Sequence, residues 1–384
     1  MVKKLLLAVM AVLLLLACRI PALAQDLPAL APTDDTPLNH RIPLILVHGI
    51  NPKEGQLYNW RHYVDAFMAD PGFVRRYKIY LFHFAPRQSI PENSQLLLQT
   101  LNTFSATLPD GPPMRIVALS LGGNLVQAIA HQPVITGHVD RIITLAAPFH
   151  GTPLADPPWI LAEHPAWTPS GIADRFVYRT ARKMFPTFAH DYGWDNFDGV
   201  LPPADAGSES ISVSVRPASP QWMTYGSFFS TNPDAQIWLA RQMGLPAAFL
   251  EAPKPLRRPH GLLNKHRLMI HAQEAMAGLT LSGTGKSRNN SGFSAMVFND
   301  GVGPVASALW LKTDAPLSEA LKALGSNPAG VRMFAGLDHA DWVEGTFRYK
   351  TKESQAGSPQ VRDWLHPDEP PRTVFGWVLH DLMQ

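Results

Sequence analysis

A single serine lies between an apolar strand pattern and a helical pattern, and this order restricts the possible fold more than any other feature. The apolar run Arg115–Leu119 precedes Ser120, and the helical pattern Asn124–His131 follows it. Ala118 and Gly122 are the small residues two positions to either side, as in a G-x-S-x-G turn that exposes a serine at its tip. The helix N-terminus supplies backbone donors and a favourable dipole. Taken alone, the motif fits a nucleophilic serine and a plain glycine-rich turn equally well.

Further apolar runs and helical patterns alternate along the first half of the chain. This alternation predicts a parallel sheet covered by helices, because strands buried on both faces are apolar throughout. We expect the sheet to begin near Arg41. The expected strands are Ile42–Val47, Tyr77–Phe84, Arg115–Leu119 and Arg141–Ala146, and the expected helices are Trp60–Met68 and Asn93–Leu108.

Three motifs then occur in a recognisable order. His48-Gly49-Ile50 follows the first strand, Ser120-Leu121-Gly122-Gly123 follows the strand Arg115–Leu119, and the stretch Ala146–Ala155 follows the next one. The sequence resembles the α/β-hydrolase superfamily, in its bacterial lipase/esterase group. The resemblance covers residues 41–155 and returns at 299–307 and 337–344. It implies an α/β-hydrolase fold with a mostly parallel sheet flanked by helices, and hydrolysis of carboxylic esters.

The resemblance also implies the roles of individual residues. Ser120 would be the nucleophile, with the N–H groups of Ile50 and Leu121 as the oxyanion hole. Asp300, after the expected strand Phe293–Phe298, would orient the base. His339, after the expected strand Val331–Phe334, would be that base. An acyl-enzyme on Ser120 would form and then be hydrolysed.

Other histidines and aspartates compete for these roles. His150 follows a sheet strand, His271 lies in an apolar helical pattern typical of a core or interface, and His48 is expected to be structural. Asp338 and Asp341 are rivals to Asp300. Carboxylates so close to the base along the chain seldom orient it.

Calcium needs separate consideration. Some bacterial lipases bind Ca²⁺ near the histidine loop, through a carboxylate two residues after the catalytic histidine, and Asp341 has that position. A hard cation needs several oxygen ligands, and residues 279–299 contain no carboxylate. We therefore expect no cofactor or metal, with Asp341 a solvated side chain and only a weak calcium candidate.

Composition limits the partners. The 384 residues carry a formal net charge of +2, and the pI is about 8.6, so nucleic acid is not expected as a partner. There is no phosphate-binding or dinucleotide-binding glycine motif and no H-E-x-x-H zinc motif. The expected partner is an ester or lipid substrate, with transient contact to a lipid surface. The oligomeric state is not fixed by the sequence.

The N-terminus predicts export. Lys3 and Lys4 precede an apolar stretch too short for a transmembrane helix, and Ala22-Leu23-Ala24 fits a cleavage site. Residues 1–24 are therefore interpreted as a signal peptide, and the protein as periplasmic or secreted. Cys18, the only cysteine, also fits a lipoprotein signal, which leaves an outer-membrane lipoprotein as the alternative.

The remaining chain divides into a linker and one catalytic domain. Residues 25–40 are predicted to be a proline-rich linker, and residues 41–384 a hydrolase domain with a cap or lid insertion at about 152–290. Within that insertion, Ala173–Phe185 is amphipathic, which fits a lid helix or an ordinary surface helix. The aromatic stretches Trp194–Asp198 and Gln221–Tyr225 fit either an acyl pocket or the core of the cap.

Two classes of alternative function stay open. An amidase, thioesterase or acyltransferase would use the same residues. A non-catalytic lipid-binding protein would keep only the fold, since a fold does not prove a function.

Overall fold

The architecture was obtained from a computed structural model. It describes residues 29–49, 60–85, 88–108, 111–152, 220–229, 233–250, 297–311, 317–325, 328–344 and 360–384. The strands are β1 Leu30–Pro32, β2 Ile42–Val47, β3 Tyr77–Phe82, β4 Met114–Leu119, β5 Val139–Leu145, β6 Gln221–Phe228 and β7 Val331–Ala335.

Helices connect these strands and lie on both faces of the sheet. They are α1 Arg61–Met68, α2 Pro71–Arg76, α3 Ile90–Ala106, α4 Leu121–Ala128, α5 Pro133–His138, α6 Pro233–Gln242, α7 Val305–Ala308, α8 Leu317–Ala323, α9 Asp341–Glu344 and α10 Val374–Met383. None of the helices in the described part of the chain has the length and apolar character needed to cross a membrane.

The strands form one seven-stranded sheet in the order β1-β3-β2-β4-β5-β6-β7. Only β1 is antiparallel to its neighbour, and every other pairing is parallel. The predicted, mostly parallel α/β sheet is confirmed. Its four expected early strands are the observed β2 to β5. Strand β2 has its predicted bounds, and the end residues of β3, β4 and β5 differ from the predicted ones by at most two positions.

The sheet begins earlier than predicted. Residues 30–32, assigned by sequence to the linker, form β1 and pair with Tyr80–Phe82 at the sheet edge. Proline gave the segment a linker-like composition, but Pro32 ends the strand, where a missing N–H costs little. His83 N–H donates to Ala29 O at 2.8 Å and extends the pairing. The predicted signal peptide lies outside the described residues.

The predicted cap insertion also needs correction. Gln221–Tyr225, interpreted as part of the cap, belongs to β6, which lies inside the sheet between β5 and β7. Every β6 residue from Trp222 to Phe228 is buried, as expected for a strand covered on both faces. The insertion is therefore interrupted by a sheet strand. The predicted helix Ala173–Phe185 and the stretch Trp194–Asp198 lie outside the described residues.

Alternate residues of the strands point to the two faces of the sheet and form two apolar cores. Ile45, Val47, Ile116 and Ala118 pack on one side with residues of α3, α4 and α5. On the other side, Leu44, Leu46, Val117 and Leu119 pack with residues of α1, α2 and α10. A third cluster joins β6 and β7 to α6, α7 and α8. The sheet is thus rigidly covered, and its strand ends present loops in fixed positions.

Candidate active site

Ser120 lies at a sharp turn between strand and helix. Strand β4 ends at Leu119 and helix α4 begins at Leu121, so a single residue joins the two elements. Ser120 has φ 51° and ψ −122°, a backbone conformation that residues with a side chain rarely adopt. Its N–H donates to Leu145 O at 2.8 Å, and its carbonyl accepts from Gly123 N–H at 2.8 Å. These bonds hold the serine in a strained, fixed position.

Two glycines let the backbone approach this turn closely. A Cβ atom on Gly49 would lie 3.0 Å from Ser120 Cβ and 3.2 Å from Leu119 O. A Cβ atom on Gly122 would lie 2.6 Å from His48 O and still closer to Val47 O. The loop after β2 is therefore packed directly against the serine.

Asp300 lies in a tight turn between β6 and β7. Its Oδ1 accepts hydrogen bonds from the N–H groups of Val302 and Gly303, both at 2.9 Å. Asn299 Oδ1 accepts from Gly301 N–H at 2.9 Å, and Gly301 has φ 88°, which favours glycine. The predicted strand before Asp300 is not formed in its described part. Val297 is in a 3₁₀ turn, Phe298 is in a bend, and Asn299 makes isolated β-bridges to Phe229 and Pro304.

His339 joins the serine to the aspartate. Its Nδ1 lies 2.7 Å from Asp300 Oδ2, and its Nε2 lies 2.9 Å from Ser120 Oγ. Its backbone N–H also donates to Asp300 O at 2.8 Å. The Asp300 side chain is 3% exposed and that of His339 is 16% exposed. The three residues predicted to act together are thus within hydrogen-bonding distance, although 219 positions separate Ser120 from His339 along the chain.

The hydrogen-bond pattern fixes the tautomer that this arrangement favours. An ionised Asp300 only accepts, so Nδ1 of His339 carries the proton and donates to Oδ2. Nε2 then has a lone pair that accepts the Ser120 O–H. This is the geometry in which an imidazole removes a proton from a serine hydroxyl.

Leu121 is the first residue of α4, and its N–H lies in the first turn, where helical N–H groups have no intrahelical acceptor. Its predicted role as an oxyanion donor is compatible with this position. The other predicted donor, Ile50, lies outside the described residues.

His48 and His150, two of the competing histidines, make contacts of their own. His48 is buried, stacks on Phe84 with ring centroids 4.1 Å apart, and places Nδ1 2.6 Å from Gly49 O. Burial lowers the pKa of His48 to about 4 and that of His150 also to about 4, so both rings are neutral at pH 7. His150 is held through its N–H, which donates to Ser307 Oγ. His271 lies outside the described residues.

Asp341 is not the solvated side chain that the sequence predicted. Its side chain is fully buried, and Oδ2 accepts from Asp338 N–H at 2.8 Å. Asp338 Oδ1 accepts in return from Asp341 N–H at 3.0 Å. A pattern of two acids three residues apart at a helix start could have indicated this reciprocal cap. Within the described residues, no three His, Cys, Asp or Glu side chains come together as a possible metal site.

The sequence analysis also missed the side chains that join the loops around the site. Ser307 Oγ donates to Gly151 O at 3.0 Å, and Thr152 Oγ1 donates to Val302 O. Asn124 Nδ2 donates to Pro148 O at 3.0 Å. These bonds attach the loop after β5 to both α4 and the Asp300 turn. No local pattern predicted them, because the partners are 24 to 156 residues apart.

Comparisons with known proteins add little to this geometry. No family model matches the sequence, and no curated protein matches it significantly. Among solved structures, the mature Bacillus licheniformis lipase BlEst2 is similar with 22% identity and a TM-score of 0.27, over 41% of this chain and 65% of that one. Its propeptide form matches over 42% of this chain and 33% of its own, with a TM-score of 0.29 and 22% identity.

An α/β hydrolase fold protein from Burkholderia ambifaria is similar with 17% identity and a TM-score of 0.22, over 39% of this chain and 68% of that one. Likenesses of this size carry no weight for function. The fold assignment rests on features of this chain: one parallel sheet with a single antiparallel edge strand, and a strained serine between β4 and α4. By these features, the chain has the architecture of an α/β-hydrolase fold.

Proposed function

We propose that the protein is a serine hydrolase that cleaves carboxylic esters, with Ser120 as nucleophile, His339 as base and Asp300 as the residue that orients the base. The observation that supports this most is the pair of hydrogen bonds, 2.9 and 2.7 Å long, that runs from Ser120 Oγ through the His339 ring to Asp300. The position of His339 Nε2, 2.9 Å from Ser120 Oγ, suits removal of the serine proton.

The reaction would proceed in two halves. Ser120 Oγ attacks the ester carbonyl carbon while its proton moves to His339 Nε2, and the carbonyl oxygen becomes negatively charged. Leu121 N–H, with Ile50 N–H as the second proposed donor, stabilises that charge; one such donor typically contributes about 3 kcal/mol. The tetrahedral intermediate then expels the alcohol, which takes the proton from His339, and leaves an acyl-serine.

Water completes the cycle. His339 removes a proton from water as its oxygen attacks the acyl carbon, and the second intermediate releases the carboxylic acid and restores Ser120. The proposed chemistry uses these side chains and backbone groups and no cofactor. Its proposed partner is an ester or lipid substrate, with transient contact between the protein and a lipid surface.

The test is covalent labelling of the serine. We expect a fluorophosphonate to add once to the wild-type protein, as measured by intact mass, and not at all to Ser120→Ala. Hydrolysis of p-nitrophenyl esters should disappear in the same variant while its circular dichroism spectrum stays unchanged. Near-normal turnover by Ser120→Ala would overturn the assignment. Absence of labelling, with and without detergent, would favour a non-catalytic lipid-binding protein.

Export remains part of the proposal. We propose that the mature protein is periplasmic or secreted, after removal of residues 1–24. The same mass measurement tests this, since a mature chain beginning at Gln25 differs in mass from one beginning at a lipidated Cys18, which would indicate an outer-membrane lipoprotein.

A further inference from the structure

His339 lies inside a closed turn built from two buried carboxylates. Asp338 Oδ1 accepts from the N–H groups of Ala340 at 2.9 Å and Asp341 at 3.0 Å. Asp341 Oδ2 accepts from Asp338 N–H at 2.8 Å. The two residues therefore cap each other in the manner of a capping box, with His339 between them in the chain. We call residues 338–341 the Asp box.

The Asp box is attached to the sheet on one side and to the Asp300 turn on the other. Trp342, next to Asp341, is fully buried, and its Nε1 donates to Ser227 Oγ in β6 at 2.8 Å. His339 N–H donates to Asp300 O at 2.8 Å. These contacts and the reciprocal cap fix the His339 backbone, so that the remaining freedom of the ring lies in its two side-chain torsions.

Helix capping alone does not account for this arrangement. Helix α9 has only four residues, and one serine, threonine or aspartate is enough to cap a helix. Here Asp338 is 3% exposed and Asp341 fully buried, and removal of a carboxylate from water has a large free-energy cost. Two buried carboxylates are more than the capping of this short helix requires. They indicate that the conformation of residues 338–341 is itself maintained.

We propose that Asp338 and Asp341 are positioning residues for His339, which hold its ring in line with both Ser120 Oγ and Asp300 Oδ2. The proposal rests on the proposed function for its catalytic consequence. The position of the His339 ring does not depend on the proposed function. A misplacement of about 1 Å at a reacting group can reduce a rate about 100-fold.

Two substitutions at one position separate geometry from charge. Asp341→Ala removes the acceptor of the Asp338 N–H, whereas Asp341→Asn keeps an oxygen acceptor of similar shape. We expect Asp341→Ala to lower kcat and the limiting rate of fluorophosphonate addition by about 100-fold with KM nearly unchanged. Asp341→Asn should remain within a few-fold of wild type. Asp338→Ala removes the acceptor of the Ala340 and Asp341 N–H groups. It is the second variant if Asp341→Ala does not fold, and it should lower kcat and the labelling rate in the same way.

A remote capping box provides the matched control. Ser89 and Glu92 cap α3 in the same reciprocal way. Ser89→Ala should lower the unfolding midpoint and leave kcat unchanged, which distinguishes positioning of His339 from a general loss of stability. All variants are compared at a temperature where circular dichroism shows them folded. A folded Asp341→Ala with wild-type kcat and wild-type labelling rate would overturn the proposal.

A spectroscopic measurement is independent of activity. The Nδ1–H proton of His339, donated to Asp300 over 2.7 Å, should give a downfield ¹H NMR signal in wild type and Asp341→Asn. The signal should be lost or broadened in Asp341→Ala. If wild type is not labelled at Ser120 but this pattern holds, the proposed function fails and the positioning role stands. If EDTA reproduces the effect of Asp341→Ala in wild type and Ca²⁺ reverses it, Asp341 acts as a cation ligand and the proposal is wrong.

Discussion

The backbone of Ser120 is in a conformation that opposes stability and supports the candidate site. A non-glycine residue with φ 51° and ψ −122° costs about 1–3 kcal/mol, and such strain persists only where the surrounding structure enforces it. Ser120 is held by Leu145 O and Gly123 N–H on either side. The proposed nucleophile is therefore presented by the fold at the expense of local stability.

This strain gives a prediction for a matched pair of variants. Ser120→Gly relieves the backbone strain, whereas Ser120→Ala retains it, and both lack the hydroxyl. The greater conformational entropy of glycine in the unfolded chain offsets part of the strain that is relieved. We therefore expect Ser120→Gly to be more stable than Ser120→Ala by about 1 kcal/mol. Urea unfolding measures the difference. Equal stability, or a more stable alanine variant, would mean that the turn is not strained.

His48 gives the protein a sensitivity to acid. Its pKa is lowered from 6.5 to about 4, mainly by burial, and the neighbouring His83 adds a smaller effect in the same direction. The unfolded state binds this proton at a higher pH than the folded state does, so protonation favours unfolding. The free energy of unfolding therefore keeps its full value above pH 6.5 and decreases as the pH falls toward 4. Between pH 7 and pH 5 this group alone removes roughly 2 kcal/mol from the free energy of unfolding.

Substitution of His48 should therefore flatten the pH dependence of stability. We expect His48→Asn to lose less stability between pH 7 and pH 5 than wild type does, measured by urea unfolding at both pH values. The exposed His131 provides the control, and His131→Asn should keep the wild-type slope. An unchanged slope in His48→Asn would show that the ring is solvated and protonated normally.

At the scale of elements, local patterns predicted the sheet well where strands are continuous apolar runs. Strand β2 was predicted with its observed bounds, Ile42–Val47, because burial on both faces makes every residue apolar. Helix α3 begins at Ile90, three residues before the predicted start. The reason is a cap at Ser89 and a proline in the first turn, which extend the helix beyond its apolar periodicity.

Elements defined by long-range pairing were missed. Strand β1 has only three residues and forms because Tyr80–Phe82 provides an edge, which no local pattern reveals. Strand β6 contains Thr224, Gly226 and Ser227, and these small or polar residues hid it among aromatic neighbours. The resemblance named Ser120, Asp300 and His339. The Ser307 contacts join distant parts of the chain and appeared only in three dimensions, whereas the Asp box is local and the spacing of its two acids could have indicated it.

At the scale of the whole molecule, the last helix is fixed to the sheet by buried charge. Asp381 in α10 accepts from Arg332 Nε and Nη2, both at 2.6 Å, and also from Tyr225 OH. Arg332 Nη1 donates to Asp363 at 2.8 Å. Arginines also bind carbonyls at the end of α10: Arg141 at Asp381, Arg115 at Leu382 and Arg76 at Met383. Cations at this end complement the helix dipole.

This network lies at a distance from the candidate site along β7, since Arg332 is the second residue of that strand and His339 follows its carboxyl end. Loss of the Asp381 carboxylate would leave the positive charge of Arg332 buried with less negative charge beside it. We expect Asp381→Asn to reduce the free energy of unfolding by about 3–5 kcal/mol. Labelling of Ser120 should be unchanged at temperatures where the variant is folded.

A more exposed pair of the same chemistry is the control for Asp381→Asn. Asp140 pairs with Arg115 at 3.0 Å, but its side chain is 35% exposed, so Asp140→Asn should cost about 1 kcal/mol or less. Equal effects of the two substitutions would mean that burial does not determine the strength of the Asp381 contacts. A loss of labelling in folded Asp381→Asn would mean that the network positions the site. If folded Asp381→Asn keeps its labelling, the two ends of the parallel sheet have separate roles. Buried charge at the amino end stabilises the fold, and the loops at the carboxyl end hold Ser120, Asp300 and His339 in place.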